Sequence, residues 1–346
     1  MSLFNRFKTD IGIDLGTANT LVYRKGEGIV INEPTIAAVN EKTGQTLAVG
    51  EEAKRMMGRT PAHIHVVRPL INGVISDFVM TQEIIKHYLR RVKDDALFHY
   101  VRAVVAVPTN LTEVERKSVE DAVISSGASY VYLLEEPIAA ALGARLPTQE
   151  PTANIIVDIG GGTTEIAIMS MGGVVVSRSL KVAGDKCNEE IIRFVRDEFN
   201  LLIGEPTAEN IKITIGSALA STEKLDMAIS GRDLSSGLPR ETVVRDTQVR
   251  AVLSPLVKQI IESIRDIIEQ TPPELAGDIL RHGIYFSGGG SLLRGLVELV
   301  EKELNVKTVL VDDPLTCVVR GTGIAAENIE AHKHMFSYSV KPIIIQ

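Results

Sequence analysis

"DLGTANT" occupies Asp14–Thr20 and "DIGGGTTE" occupies Asp158–Glu165. Each sets an Asp at the end of an apolar run, then an apolar residue, a Gly, and small or hydroxylated residues. Glycine allows positive φ and lets a ligand approach the main chain. Successive exposed N–H groups in such a turn make a cavity for phosphate oxygens. Thr17, Asn19, Thr163 and Thr164 add side-chain donors, and Asp14 and Asp158 each send a carboxylate toward the same space. Phosphates beside carboxylates require a cation between them, and oxygen donors suit Mg²⁺ held largely through waters. Two such turns facing each other would clamp a polyphosphate from both sides.

The surrounding pattern repeats with the turns. "DIGIDLG" and "TLVYRKG" read as paired strands, and "TIAAVNEKTGQTLAVG" reads as a hairpin turning at Lys42–Gly44. A helix follows at about Glu51–Met57. Asp77 caps another that reaches about Val92, and Thr112 with Glu115 forms a capping box. "VRAVVAVP" is a continuous apolar strand of the doubly covered kind. "YVYLLEE" is another, running into a helix with Pro137 in its first turn. "NIIVDIGGGTTEIAIMSMGGVVVSRSL" then restarts the three-strand order. Helices follow at about Asp185–Phe199 and Thr207–Ile215, and "LDMAISGRDLSSGLPRETVV" suggests short strands in a small insert. Thr247–Gln270 is the longest helix, with one apolar stripe that includes Val249, Leu253, Leu256, Val257, Ile260 and Ile264. "GIYFSGGGSLLRG" reads as strand, glycine turn and helix, the third turn favouring an anion or nucleotide edge at Gly288, Gly289 and Gly290. The chain is thus an α/β internal duplication, two halves each opening with a hairpin that bears the Asp-Gly-Thr turn.

Composition narrows the function. The 346 residues suggest two large lobes. Aromatics are 4% and Trp is absent, so the core is built from Ile, Val, Leu and Ala. A net charge of −7 argues against a nucleic-acid partner. Cys187 and Cys317 fit no zinc spacing and read as reduced cytosolic thiols. No run approaches a membrane span. There is no GxxxxGK[ST], HExxH or GxSxG, and the seven His do not cluster. "GTGIAA" (Gly321–Ala326) matches GxGxxA without its βαβ context and reads as close helix packing.

"DLGTANT", "DIGGGTTE" and "SGGGSLLRG" resemble the two phosphate loops and the adenosine loop of the actin, sugar-kinase and heat-shock-chaperone ATPases. "GEGIVINEPT", "RPLINGVISDF", "LLEEPIAAALGA", "LLIGEPTAENIK" and "TPPELAGDI" narrow the resemblance to the MreB/Mbl bacterial actins over about Thr9–Ile329. The resemblance implies a duplicated actin-like (ribonuclease H-like) fold, with four subdomains around a nucleotide cleft. Subdomain IA would hold 1–32, 67–147 and 316–336, IB 33–66, IIA 148–182 and 246–315, and IIB 183–245, leaving a tail at 337–346 without a pattern.

The resemblance also implies a slow ATPase that binds ATP or ADP with Mg²⁺. It would assemble as antiparallel double protofilaments, cytoplasmic and peripheral on the inner face of the cell membrane, and guide wall synthesis with RodZ, MreC and MreD. Asp14 and Asp158 would arrange the metal and its waters. Gly16, Thr17, Ala18 and Asn19 would hold phosphate from one side, and Gly160, Gly161, Gly162, Thr163 and Thr164 from the other. Glu209 and Lys212 would border ribose and adenine, above Gly288–Gly290. Glu136 would position the attacking water with help from Thr163, a role suited to a carboxylate. From the residues alone Glu136 reads more readily as a helix-start acid favoured by the dipole. Ala183 and Thr214 depart from the common family pattern, the latter on the adenine side.

Two apolar groups suggest lipid contact. Leu3, Phe4 and Phe7 lie on one side of a possible amphipathic turn, or else in a lead-in to the first strand. Leu97 and Phe98 sit in a charged loop where MreB relatives carry a membrane loop. The competing readings are a small-molecule kinase of the same superfamily, which needs a catalytic Asp for a substrate hydroxyl, and a chaperone ATPase, which needs a substrate domain beyond Gln346.

Overall fold

The computed structural model describes residues 8–92, 100–220 and 222–340. Two sheets form its centre. In the first, Lys8–Leu15 pairs antiparallel with Asn19–Arg24, which pairs with Gly28–Pro34; on its other side it runs parallel to Tyr100–Val107 and then Tyr130–Glu135. The second repeats this order. Asn154–Ile159 pairs antiparallel with Thr164–Ser170 and then Gly173–Leu180, and runs parallel to Ile284–Ser287 and then Thr308–Leu310. The duplication read from the two turns is therefore a duplication of strand order.

Burial follows the sequence pattern. Ile11, Ile13, Val105, Ile155 and Val157 sit on strands covered on both faces and are 2% exposed or less. The outer face of the first sheet packs under helices Phe78–Val92 and Glu113–Ser125. That of the second packs under the long helix Asp246–Glu269, through Val257, Ile260, Ile261 and Ile264 of its apolar stripe. Each such Val or Ile contributes roughly 1.5–3 kcal/mol. The capping box at Thr112 is present, with the Glu115 N–H donating to Thr112 Oγ1 at 3.2 Å. Asp77 Oδ1 accepts from the Met80 N–H at 3.0 Å, as its N-cap position required.

Between the sheets lie two helices, Glu136–Gly143 and Cys317–Glu327, sharing a core with Val104 and Leu134 of one sheet and Ile156 and Ala167 of the other. Their backbones nearly touch. A Cβ on Gly321 would stand 1.7 Å from the Ala139 carbonyl oxygen, and one on Gly143 would stand 1.9 Å from that of Cys317. The "GTGIAA" glycines are thus packing residues. This close crossing fixes the distance between the sheets, and so the width of the crevice at their ends.

Two small units sit above the sheets. One joins Ala37–Asn40, Gln45–Val49 and Ile64–Val67 to helix Glu51–Met56. The other joins Leu201–Leu202, Asp226–Asp233 and Pro239–Arg245 to helices Gly184–Phe199 and Glu205–Ile215. Two elements differ from the sequence reading. "SGGGSLLRG" forms a short 3₁₀ turn at Gly289–Leu292, and the α-helix starts only at Leu296, because Gly295 adopts a left-handed φ of 73°. The segment after His334, for which the sequence offered no pattern, supplies strand Phe336–Val340. It pairs antiparallel with Tyr130–Glu135 and so adds a sixth strand to the first sheet.

Candidate functional site

The two quoted turns close in the same way. The Gly16 N–H donates to the Asn19 carbonyl at 3.1 Å, and the Gly160 N–H donates to the Thr163 carbonyl at 2.9 Å. Asp14 stands opposite Leu21 and Asp158 opposite Glu165, the same register in each hairpin. The turns also meet. A Cβ on Gly161 would lie 2.6 Å from Ala18 Cβ, and one on Gly162 would lie 2.5 Å from Thr17 Oγ1. Glycine is required there because the opposing turn fills the space a side chain would take. Thr17 Oγ1 additionally accepts from the Gly73 N–H at 2.9 Å, so the hairpin between Leu70 and Ile75 closes over this end.

Together they form the end of a cleft of about 470 Å³. Asp14, Gly16, Thr17, Ala18 and Asn19 line one side, and Asp158, Gly160, Gly161, Gly162 and Thr163 the other. Glu136 reaches it from the first turn of the inter-sheet helix, after Tyr130–Glu135 ends and Pro137 starts the helix. Toward the far end stand Glu209 and Lys212, one helical turn apart, facing Gly288, Gly289 and Gly290. The last loop lies flat on the second turn: a Cβ on Gly288 would stand 2.3 Å from the Ile159 carbonyl oxygen. Lys212 Nζ donates to the Gly184 carbonyl at 3.0 Å.

Thr164 does not join them. It is fully buried and its hydroxyl donates to the Val182 carbonyl at 2.7 Å, because strand alternation turns it away from Thr163. Thr214, a departure from the family pattern, is exposed, and its carbonyl accepts from Arg294 at 2.9 Å. Leu3, Phe4, Phe7, Leu97 and Phe98 lie outside the described residues.

Sequence reasoning missed other parts of the site. Leu256, Val257 and Ile260 of the long helix, with Leu292, Leu293, Leu315 and Val318, make an apolar wall at the far end. Arg294 links the Thr214 and Gly216 carbonyls, tying the glycine loop to the Glu205–Ile215 helix. Arg68 bridges the two small units over the mouth, 2.6 Å from Glu205 and 3.8 Å from Asp185. Glu165 was quoted but given no role; its one sequence signal is an acid among the apolar residues of a doubly covered strand.

The phosphate end of the cleft gathers buried acids. Burial pushes Asp14 up to about 7, with the Asp158 charge adding to it. Burial raises Asp158 to about 6, against a hydrogen bond from Ser287 Oγ at 2.5 Å. Glu136 is held well above the usual carboxylate range by burial and by Glu165, Asp14 and Asp158. Glu165 is raised by burial too. No Lys or Arg among the described residues offsets any of these four. Recessed carboxylates without a protein cation, beside turns of free N–H groups, are a donor set that accepts a divalent ion and phosphate together.

Comparison with known sequences decides the lineage: the family model described as MreB/Mbl protein matches residues 8–334. The chain belongs to the MreB/Mbl family. It is 46% identical over 324 residues to the cell shape-determining protein Mbl of Bacillus subtilis (strain 168), covering 94% of this chain and 97% of that protein. MreB5 of Spiroplasma citri bound to ADP is similar with a TM-score of 0.89 at 40% identity, covering 95% of this chain and 98% of that one. The same S. citri protein bound to AMPPNP gives a TM-score of 0.89 at 40% identity, covering 94% and 98%. The duplicated α/β architecture is thus the actin-like fold of the MreB/Mbl family. Among the described residues no helix is long and apolar enough to cross a membrane.

Proposed function

We propose that this MreB/Mbl-family chain binds Mg-ATP in the cleft, hydrolyses it slowly, and assembles through ATP-dependent self-association. One observation carries the reading: two mirrored turns, each with a recessed Asp, converge on one crevice. The S. citri relative bound to ADP and to AMPPNP supports a nucleotide as the occupant. The apolar wall and Gly288–Gly290 suit a base, Glu209 a ribose, and the Gly16–Asn19 and Gly160–Thr163 turns the phosphates.

Asp14 and Asp158 would hold magnesium, mainly through waters, and the metal would spread charge developing on the phosphates. Glu136 would align the attacking water with the terminal phosphate and accept its hydrogen bond, with Thr163 beside it. Each turn is pinned by its own N–H to carbonyl bond and by the opposite turn, so the pair would receive phosphates without rearrangement. Filaments of antiparallel paired protofilaments on the inner face of the membrane, working with RodZ, MreC and MreD in wall synthesis, extend this reading from the family.

The test is phosphate release and co-sedimentation with liposomes in ATP, ADP and no nucleotide, comparing wild type with Glu136→Ala. The variant should bind ATP and pellet like wild type but release phosphate about a hundredfold more slowly. Normal release from Glu136→Ala removes Glu136 from the mechanism. Absence of ATP binding by wild type removes the whole reading.

A further inference from the structure

Glu165 carries no ordinary structural explanation. It is fully buried, on a strand whose next residues Ile166, Ala167 and Ile168 are apolar and equally buried. Its two carboxylate oxygens are engaged from two different sheets. Oε1 accepts from Ser179 Oγ at 2.5 Å, its direct cross-strand neighbour in the five-stranded sheet. Oε2 accepts from Thr109 Oγ1 at 2.8 Å and the Thr109 N–H at 3.4 Å. Thr109 belongs to the turn that ends strand Tyr100–Val107 of the six-stranded sheet. Thr163 lies two residues before Glu165, where the second turn enters its strand. Both oxygens are held by protein donors, and Glu165 is not among the residues that line the cleft.

What surrounds it gives the bridge a consequence. The hairpin around Gly73 packs onto the Thr109 turn and the cleft at once: a Cβ on Gly73 would stand 2.8 Å from Pro108 Cγ and 3.3 Å from Thr163 Cγ2. Thr163 and Glu136 both line the phosphate end.

We propose that Glu165 is a positioning residue that ties the Thr109 turn of one sheet to the Thr163–Ser179 edge of the other, setting Thr163 in place for hydrolysis. It acts through those residues and does not touch the nucleotide. The inference rests on the ATPase reading above and adds a residue which that reading does not assign. A carboxylate is suited to the role because one group accepts from donors on both sheets, and charge-assisted hydrogen bonds are about twice as strong as neutral ones. Gln in its place keeps one acceptor oxygen and must turn its NH₂ toward a hydroxyl that now donates.

The experiment compares wild type, Glu165→Gln, Thr109→Val, Thr109→Ser and the double variant Glu165→Gln/Thr109→Val. Single-turnover phosphate release and ATP affinity are measured separately, with far-ultraviolet circular dichroism confirming the fold. Glu165→Gln and Thr109→Val should each slow release about tenfold while ATP affinity stays within about threefold, since misplacement of catalytic groups lowers rate more than binding. Thr109→Ser, which keeps the hydroxyl, should release at close to the wild-type rate. The double variant should be no slower than the slower single variant, because both break the same bridge.

Losses that multiply, normal release from Glu165→Gln, or a loss of ATP affinity as large as the loss of rate would each overturn the proposal. If Glu165→Gln does not fold, Thr109→Val against Thr109→Ser decides it alone, equal rates refuting it. Wild type that binds and hydrolyses ATP while these variants behave normally sinks only this inference. Wild type that does not hydrolyse ATP sinks both.

Discussion

Asp14→Asn should stabilise the nucleotide-free protein at alkaline pH while weakening its hold on magnesium nucleotide. Asp14 keeps part of its surface open to the cleft but is enclosed by protein, and burial with Asp158 moves it from 3.8 to about 7. At about 1.36 kcal/mol per pH unit, that interval corresponds to roughly 4 kcal/mol. Cleft water screens the charge, so about 2 kcal/mol is the expected share. The sign follows from proton binding. Between about 4 and 7 the folded protein holds the proton and the unfolded chain does not, so this contribution is complete below the unfolded pKa and is lost as pH rises through the folded one.

Urea unfolding of the nucleotide-free protein from pH 5 to pH 8 tests this, with midpoints converted by linear extrapolation. Wild type should lose about 1.3 kcal/mol more than Asp14→Asn across that range, the part of the interval that lies above pH 5. At pH 8 the variant should be the more stable, by roughly 3 °C in melting temperature. Added Mg²⁺ with nucleotide should stabilise wild type more than the variant. Parallel pH profiles, or a variant less stable at pH 8, would refute the picture of an uncompensated anionic pocket.

Arg68→Ala removes the bridge to Glu205 and Asp185 over the cleft mouth. These groups are about one-third exposed, so the stability loss should stay near 0–1 kcal/mol. Nucleotide exchange, followed with a fluorescent ADP, should quicken severalfold; an unchanged rate means the bridge does not restrain the mouth. Gly321→Ala forces a methyl group against the Ala139 carbonyl and should cost about 3 kcal/mol in urea unfolding. A loss under about 1 kcal/mol would show that the inter-sheet helices separate easily.

Much of this protein was written in local pattern. The Asp-Gly-Thr turns, the doubly covered strands, the Thr112 box and the apolar stripe of Asp246–Glu269 each depend on residues close in sequence, so period and spacing disclosed them. The equal register of Asp14 and Asp158 follows from two hairpins of equal construction. The first sheet's sixth strand could not be read this way, because Phe336–Val340 is defined by a partner two hundred residues earlier. Thr164 looked like a phosphate donor beside Thr163, yet strand alternation sends its hydroxyl to Val182. Arg68, Arg294 and Glu165 each lie in a quoted motif that gives them no role: a salt bridge, a carbonyl clamp and a two-sheet hydrogen-bond bridge exist only once distant segments meet. Sequence alone determined which turns could take phosphate. Only packing decided that Gly161 meets Ala18 and Gly162 meets Thr17, since the spacing between the sheets is set by the close crossing of Gly321 and Ala139, which no local pattern in either turn encodes.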